Sequence, residues 1–115
     1  MTETETFVCE TLSKKLAENI VVIDMKGISP FTDSFVLATA RNIRHAASLA
    51  EELEKEALKN GYGVRKREGG EGSTWILLDL YDVIVHIFTE DARMQYRLEN
   101  LWADRPSERW SDQEA

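Results

Sequence analysis

The sequence predicts a single α/β (α+β) domain in which helices pack on a mixed five-stranded sheet, in the order αββαβββα. Three observations carry the prediction. A length of 115 residues suffices for one domain with its own core and leaves no room for a second. Apolar residues recur at helical spacing in three separate stretches. The β-branched and aliphatic runs between them are of strand length, and the last two stand only two residues apart.

In chain order, residues 1–5 read as a disordered N-terminus ahead of a domain spanning 6–103. Val8, Leu12 and Leu16 place a helix over Phe7–Asn19, with Thr4 or Thr6 as its cap. Ile20–Ile23 is a continuous β-branched run suited to a strand buried on both faces. After a loop through Gly27, Ser29 and Pro30, the residues Phe35, Val36 and Leu37 mark a strand over Ser34–Ala40. Asn42 opens the clearest helix, striped by Ile43, Ala46, Ala47, Ala50, Leu53 and Ala57 and closed by Gly61. Tyr62–Arg65 reads as a short strand, and Lys66–Thr74, with three glycines, as a mobile loop. Trp75–Leu80 and Val83–Phe88 form a hairpin. Thr89 caps a last helix striped by Met94, Leu98 and Leu101, with Glu90 and Asp91 in its first turn. Residues 104–115 read as a polar C-terminal tail.

The chain carries 14 Lys and Arg against 21 Asp and Glu, a formal charge of −7. Basic and acidic residues number 3 and 6 in 1–40, 7 and 4 in 41–67, and 4 and 11 in 68–115, so the surplus lies with the hairpin and the last helix. That balance argues against a non-specific nucleic-acid footprint, which needs clustered Lys and Arg. Cys9 stands alone, which excludes an intrachain disulfide and a cysteine zinc site. Glu3 and Glu5 occupy positions where a targeting peptide carries Lys or Arg, and no apolar run approaches the ~20 residues of a membrane span. A soluble cytoplasmic protein is expected.

With a two-residue loop at Leu80 and Tyr81, Asp79 faces Asp82, Leu77 faces Ile84 and Trp75 faces His86, all on one side of the hairpin. Ile76, Leu78, Val83, Val85 and Ile87 fill the other side and must meet the helices. Opposed like charges cost up to ~1 kcal/mol, so a basic partner would relieve the two carboxylates. Trp75 among Leu77 and Ile84 has the composition of an interface anchor rimmed by charge. The alternative is that another helix covers this side and the two Asp residues serve the turn.

A metal or acid–base site is disfavoured, because His86 lies roughly 13 Å along its strand from the two carboxylates. His45, beside Arg41 and Arg44, suits a solvent-exposed place at a helix start. Gly69, Gly70 and Gly72 match no phosphate-cradling motif, and Arg65, Lys66 and Arg67 form too small a basic cluster for an RNA footprint. No cofactor is expected.

The spacing Trp75-x-x-x-Asp79-x-x-Asp82-Val-x-Val-His86-x-Phe88, followed by Arg93, Tyr96, Leu98-Glu99 and Leu101-Trp102, resembles the signature of the ribosomal silencing factor (Iojap-related) family. Asp24, Gly27, Ser29, Thr32-Asp33, Phe35, Thr39, Arg44-His45 and Glu68-Gly69 extend the likeness over about residues 6–103. The resemblance implies a nucleotidyltransferase-like core without enzymatic activity. It also implies binding to the large ribosomal subunit through the universal large-subunit protein fourteen (uL14), blocking association with the small subunit and repressing translation under nutrient limitation. Its implied partner-binding residues are Trp75, Asp79, Leu80 and Asp82, with Phe88 and Tyr96 beside them. Contact with ribosomal RNA would be secondary. Leu80-Tyr81 replaces a pair in which the family often has Gly second, while Ala40 and Ile43 replace a common Gly and Ser. Two rival readings stand beside this one: a nucleotide-handling enzyme on the same fold, and a homodimer formed through the hairpin face.

Overall fold

The computed structural model describes residues 1–111, in which ten elements follow one another. They are α1 (Glu3–Lys14), β1 (Glu18–Asp24), β2 (Ser34–Ala40), α2 (Ile43–Lys59), β3 (Lys66–Glu68), β4 (Trp75–Asp79), β5 (Val83–Thr89), α3 (Glu90–Tyr96), α4 (Leu98–Leu101) and β6 (Ser107–Arg109). The sheet order is β3-β4-β5-β2-β1-β6. Only β2 and β5 run parallel, and every other neighbour pair is antiparallel. The α+β class and mixed sheet are as the sequence predicts.

Period-two alternation sorts the strands into two faces. Ile20, Val22, Val36, Ala38, Ile76, Leu78, Val85 and Ile87 bury one face against α1 and α2. The alanines 46, 47, 50 and 57 keep α2 close to the sheet while Leu49 and Leu53 fill the core. Val21, Ile23, Leu37 and Phe88 lie on the opposite, outer face, where α3 and α4 supply Ala92 and the half-buried Leu98. The run Ile20–Ile23 is thus buried on both faces, as its composition requires.

The structure departs from the sequence-based expectation in five places. First, α1 begins four residues early: Thr2 accepts the Glu5 N–H while the Glu5 carboxylate accepts the Thr2 N–H, a capping box that orders residues 1–5. The helix ends at Lys14 with Leu16 at φ 69°, where bonds from Leu16 to Ser13 and from Ala17 to Leu12 close the last turn. Second, Tyr62–Arg65 is no strand: the Tyr62 N–H bonds back to the Ala57 carbonyl of α2 and its ring stacks on Phe7 at 4.5 Å; the strand is the next segment, Lys66–Glu68. Third, the sheet has six strands, since Ser107–Arg109 in the expected tail pairs with β1. Residues 112–115 of that tail lie outside the described residues. Fourth, the last helix breaks at Arg97, which is left-handed at φ 47°. Fifth, the hairpin pairs Trp75 with Phe88, Leu77 with His86 and Asp79 with Ile84, so the loop is Tyr81-Asp82.

One guanidinium joins the C-terminal elements to the sheet. Arg93 donates to both Glu99 carboxylate oxygens at 2.9 Å, to the Asn19 carbonyl at 2.6 Å and to Thr39 Oγ1 at 2.9 Å. Asn19 sits at φ 49° in an irregularity of the β1–β2 ladder, which aims its carbonyl at Arg93. Arg93→Met leaves these acceptors without their donor and is expected to cost ~2–3 kcal/mol. Urea unfolding checks this, together with faster amide exchange over 98–109.

Candidate docking face

The hairpin turn is held from three sides. Asp79 Oδ1 accepts the Tyr81 N–H at 2.9 Å, and Oδ2 accepts Arg65 Nε and Nη2, both at 2.9 Å. The Arg65 N–H donates to the Asp79 carbonyl, and its guanidinium lies 4.9 Å from the Tyr81 ring centroid. Tyr81, at φ 72°, is the centre of a three-residue turn closed by the Asp82 N–H on the Leu80 carbonyl. On the third side the Asp82 carbonyl accepts from Thr32 Oγ1 (2.8 Å), the Asp33 N–H (3.0 Å) and the Ser34 N–H (3.2 Å). These bonds seat the β1–β2 loop on the turn at the point where β2 joins β5.

Beyond the turn, the outer face carries an aromatic cluster. Trp75 is half-buried, with Tyr96 at 4.7 Å and Phe88 at 5.0 Å between ring centroids. Its Nε1–H donates to His86 Nδ1 at 3.0 Å. His86 is 5% exposed, parallel to Phe88 at 6.1 Å and edge-on to Phe35 at 4.9 Å. Leu77 and Ile84 are half-buried beside them. Gly69 lets the β3–β4 connection pass close by: at φ 90°, a Cβ there would stand 2.9 Å from the Trp75 carbonyl oxygen. A shallow depression of ≈ 310 Å³ lies between Glu68, Gly69, Trp75 and Leu77.

The predicted site residues therefore divide. Trp75, Asp82 and Tyr96 reach the surface. Asp79 is 5% exposed and neutralised by Arg65 within the chain. Leu80 belongs to the core under α1 and α2, and Phe88 is fully buried beneath Trp75. Asp79 and Asp82 are not opposed, since Ile84 faces Asp79, so the cross-strand repulsion read from the sequence does not arise. Sequence reasoning missed Phe31 and Tyr81, 70% and 50% exposed, and Arg65, which reaches the Phe31 carbonyl at 3.4 Å. An exposed Pro30-Phe31 pair in a loop was the available signal.

The remaining chemistry-bearing residues have structural partners. His45 accepts the Arg41 N–H on Nδ1 and contacts the Lys15 carbonyl through Nε2 at 2.7 Å, which joins α2 to the end of α1. Arg65, Lys66 and Arg67 pair with Asp79, Glu68 and Glu54. Burial, with Glu5 adding to it, pushes the Cys9 thiol up to about 12. Among the described residues, no group of three or more His, Cys, Asp and Glu could hold a metal ion.

Burial lowers the His86 pKa to about 4. The folded protein therefore binds fewer protons there than the unfolded chain does between that value and ~6.5. Stability is complete above the unfolded value and falls as pH drops through this window. The Glu99 carboxylate, held below its ordinary range by Arg93, loses its contribution only at lower pH, as it protonates in the fold. Unfolding free energy should fall between pH 7 and 5 by on the order of 2 kcal/mol from His86. In His86→Phe, urea titrations across that range should give a flatter profile.

Comparison with known proteins places this geometry in a lineage. A family profile described as "Ribosomal silencing factor during starvation" matches residues 1–115. Ribosomal silencing factor RsfS of Halalkalibacterium halodurans is 41% identical over 93 residues, covering 81% of this chain and 80% of that protein. RsfS of Bacillus subtilis is 41% identical over 92 residues, covering 80% and 78%. A mouse protein named "Mitochondrial assembly of ribosomal large subunit protein 1" is 29% identical over 82% of this chain and 42% of its own length. A crystal structure from Bacillus halodurans superposes with a TM-score of 0.81 at 36% identity, over 92% of this chain and 96% of the other. With its fold, its signature residues and these relatives in agreement, the chain belongs to the ribosomal silencing factor family.

Proposed function

We propose that the protein is a non-enzymatic, cytoplasmic anti-association factor that docks through the outer face of the β4–β5 hairpin. The partner is a basic protein of the large ribosomal subunit, the universal large-subunit protein fourteen. The body of the domain then obstructs the small subunit and represses translation when nutrients are short. One observation carries this reading: Trp75, flanked by Leu77 and by Tyr96 of α3, remains only half-buried on the outer face of the hairpin, whose turn at the other end exposes the Asp82 carboxylate. An apolar anchor on a face that also carries a free carboxylate suits a surface rich in Lys and Arg.

The site residues take distinct roles. Trp75 is the anchor, Tyr96 its flank, and Asp82 the carboxylate that meets the partner's cation. Asp79, Leu80 and Phe88 act from beneath, by holding the turn and backing the indole. Ribosomal RNA is at most a secondary contact, since Arg65, Lys66 and Arg67 are each paired within the chain.

Sucrose-gradient sedimentation with separated subunits tests the reading. Wild type should travel with large subunits and suppress their joining to small ones; undiminished joining would overturn the function. Trp75→Ala should weaken large-subunit binding ~30-fold or more, and wild-type binding by that variant would overturn the site. Asp82→Lys should slow association, most clearly at low salt. Under the enzyme reading, a nucleoside triphosphate with Mg²⁺ at ~100 times its Kd would stabilise the fold by ~2.7 kcal/mol, and no such shift is expected.

A further inference from the structure

We propose that His86 is the positioning residue of the docking face: its Nδ1 holds the Trp75 indole N–H inward, so that a partner meets only the apolar edge of the ring, in one orientation. The proposal rests on the docking role of Trp75 given above.

The register makes the pairing possible. Trp75 faces Phe88 and Leu77 faces His86, so Trp75 and His86 are diagonal neighbours across β4 and β5, within reach of two aromatic side chains. The bond is 3.0 Å long and the imidazole is almost wholly buried. Phe35 edge-on and Phe88 parallel to the ring restrict its rotation.

The other nitrogen reveals what the bond costs. Because Nδ1 accepts from Trp75, the proton of the neutral ring must sit on Nε2, which is buried without a hydrogen-bond partner among the described residues. The surrounding Phe35, Leu37, Leu77 and Phe88 would suit Phe or Leu at position 86, which would remove the unpaired Nε2–H. A histidine here works against stability, and the acceptor it offers Trp75 accounts for it. Without that acceptor the indole N–H would be desolvated in an apolar contact or would turn the ring toward water.

His86→Phe keeps the ring and removes both the acceptor and the unpaired donor. Its Tm at pH 7 should equal or exceed that of wild type, while the Trp75 indole N–H resonance moves to the position of a free indole and large-subunit binding falls ~10-fold. His86→Asn, whose amide can present an oxygen near the place of Nδ1, should bind within ~3-fold of wild type. In a Trp75→Phe background, which has no N–H to hold, adding His86→Phe should change binding no further. Wild-type binding by His86→Phe, or an equal loss in the Trp75→Phe background, would overturn the positioning role while leaving the docking site intact. Wild-type binding by Trp75→Ala is the separate result that removes the docking site itself.

Discussion

Tyr81 can hold a positive φ because the Asp79 carboxylate takes its N–H and is itself neutralised by Arg65. A left-handed conformation costs a non-glycine residue roughly 1–2 kcal/mol, and short bonds with a stacked guanidinium offset it. The register follows from that turn. With the loop at Tyr81-Asp82, Leu80 enters the core, Phe88 backs Trp75, and His86 lies diagonal to the indole. A turn one residue earlier would oppose Asp79 to Asp82 and break all three relations. A buried carboxylate at the turn thus determines what the outer face presents at the far end of both strands.

The two faces of the hairpin are legible in the sequence because side chains alternate with period two. Moving the turn by one residue changes each strand partner by two positions and returns every side chain to the same face. The individual pairs are not legible, since they depend on a glycine-like conformation at Tyr81 that its residue type does not announce. Thr2-x-x-Glu5 is a capping-box pattern, yet it lies ahead of the apolar stripe that marks the helix and so outside its expected bounds. Ser107–Arg109 carries no strand signal at all. It is polar and exposed, and is a strand because the free edge of β1 offers it hydrogen bonds. Within the candidate site, Tyr96 enters only through the family resemblance, while the pattern places Trp75 and Asp82 on the outer side. It does not disclose the internal role of Asp79, because Arg65 becomes its neighbour only when β3 pairs with β4.

The sheet is covered unequally, and the inequality shapes the candidate site. On the inner face, two helices of 12 and 17 residues meet the strands with a continuous apolar stripe. On the outer face, α3 and α4 have 7 and 4 residues and break at a left-handed Arg97. Helices this short have little stability of their own, and the Arg93 bonds to Glu99, Asn19 and Thr39 hold them over β5, β2 and β1. A single straight helix could have covered β4 as well. The break leaves Trp75 and Leu77 half-buried on the outer face.

Charge then narrows what can cover that face. The C-terminal segment from 68 to 115 holds 11 acidic residues against 4 basic ones. Its arginines are committed: Arg93 to Glu99, Arg97 to the Met94 carbonyl, Arg105 to the carbonyls of Asp24 and Lys26, and Arg109 to the Asn19 side chain. Cations next to the hairpin are committed too, Arg65 to Asp79 and Lys66 to Glu68. Asp82, by contrast, has no ion pair among the described residues. A phosphate backbone approaching this face would meet an acidic segment whose neighbouring cations are already engaged, and its binding depends on neutralisation. A second copy of the chain would bring the same excess of carboxylate against itself. The proposed basic partner would gain on both counts: its apolar residues would cover the indole, and its Lys and Arg would face, at the turn, a carboxylate that nothing else among the described residues is placed to satisfy.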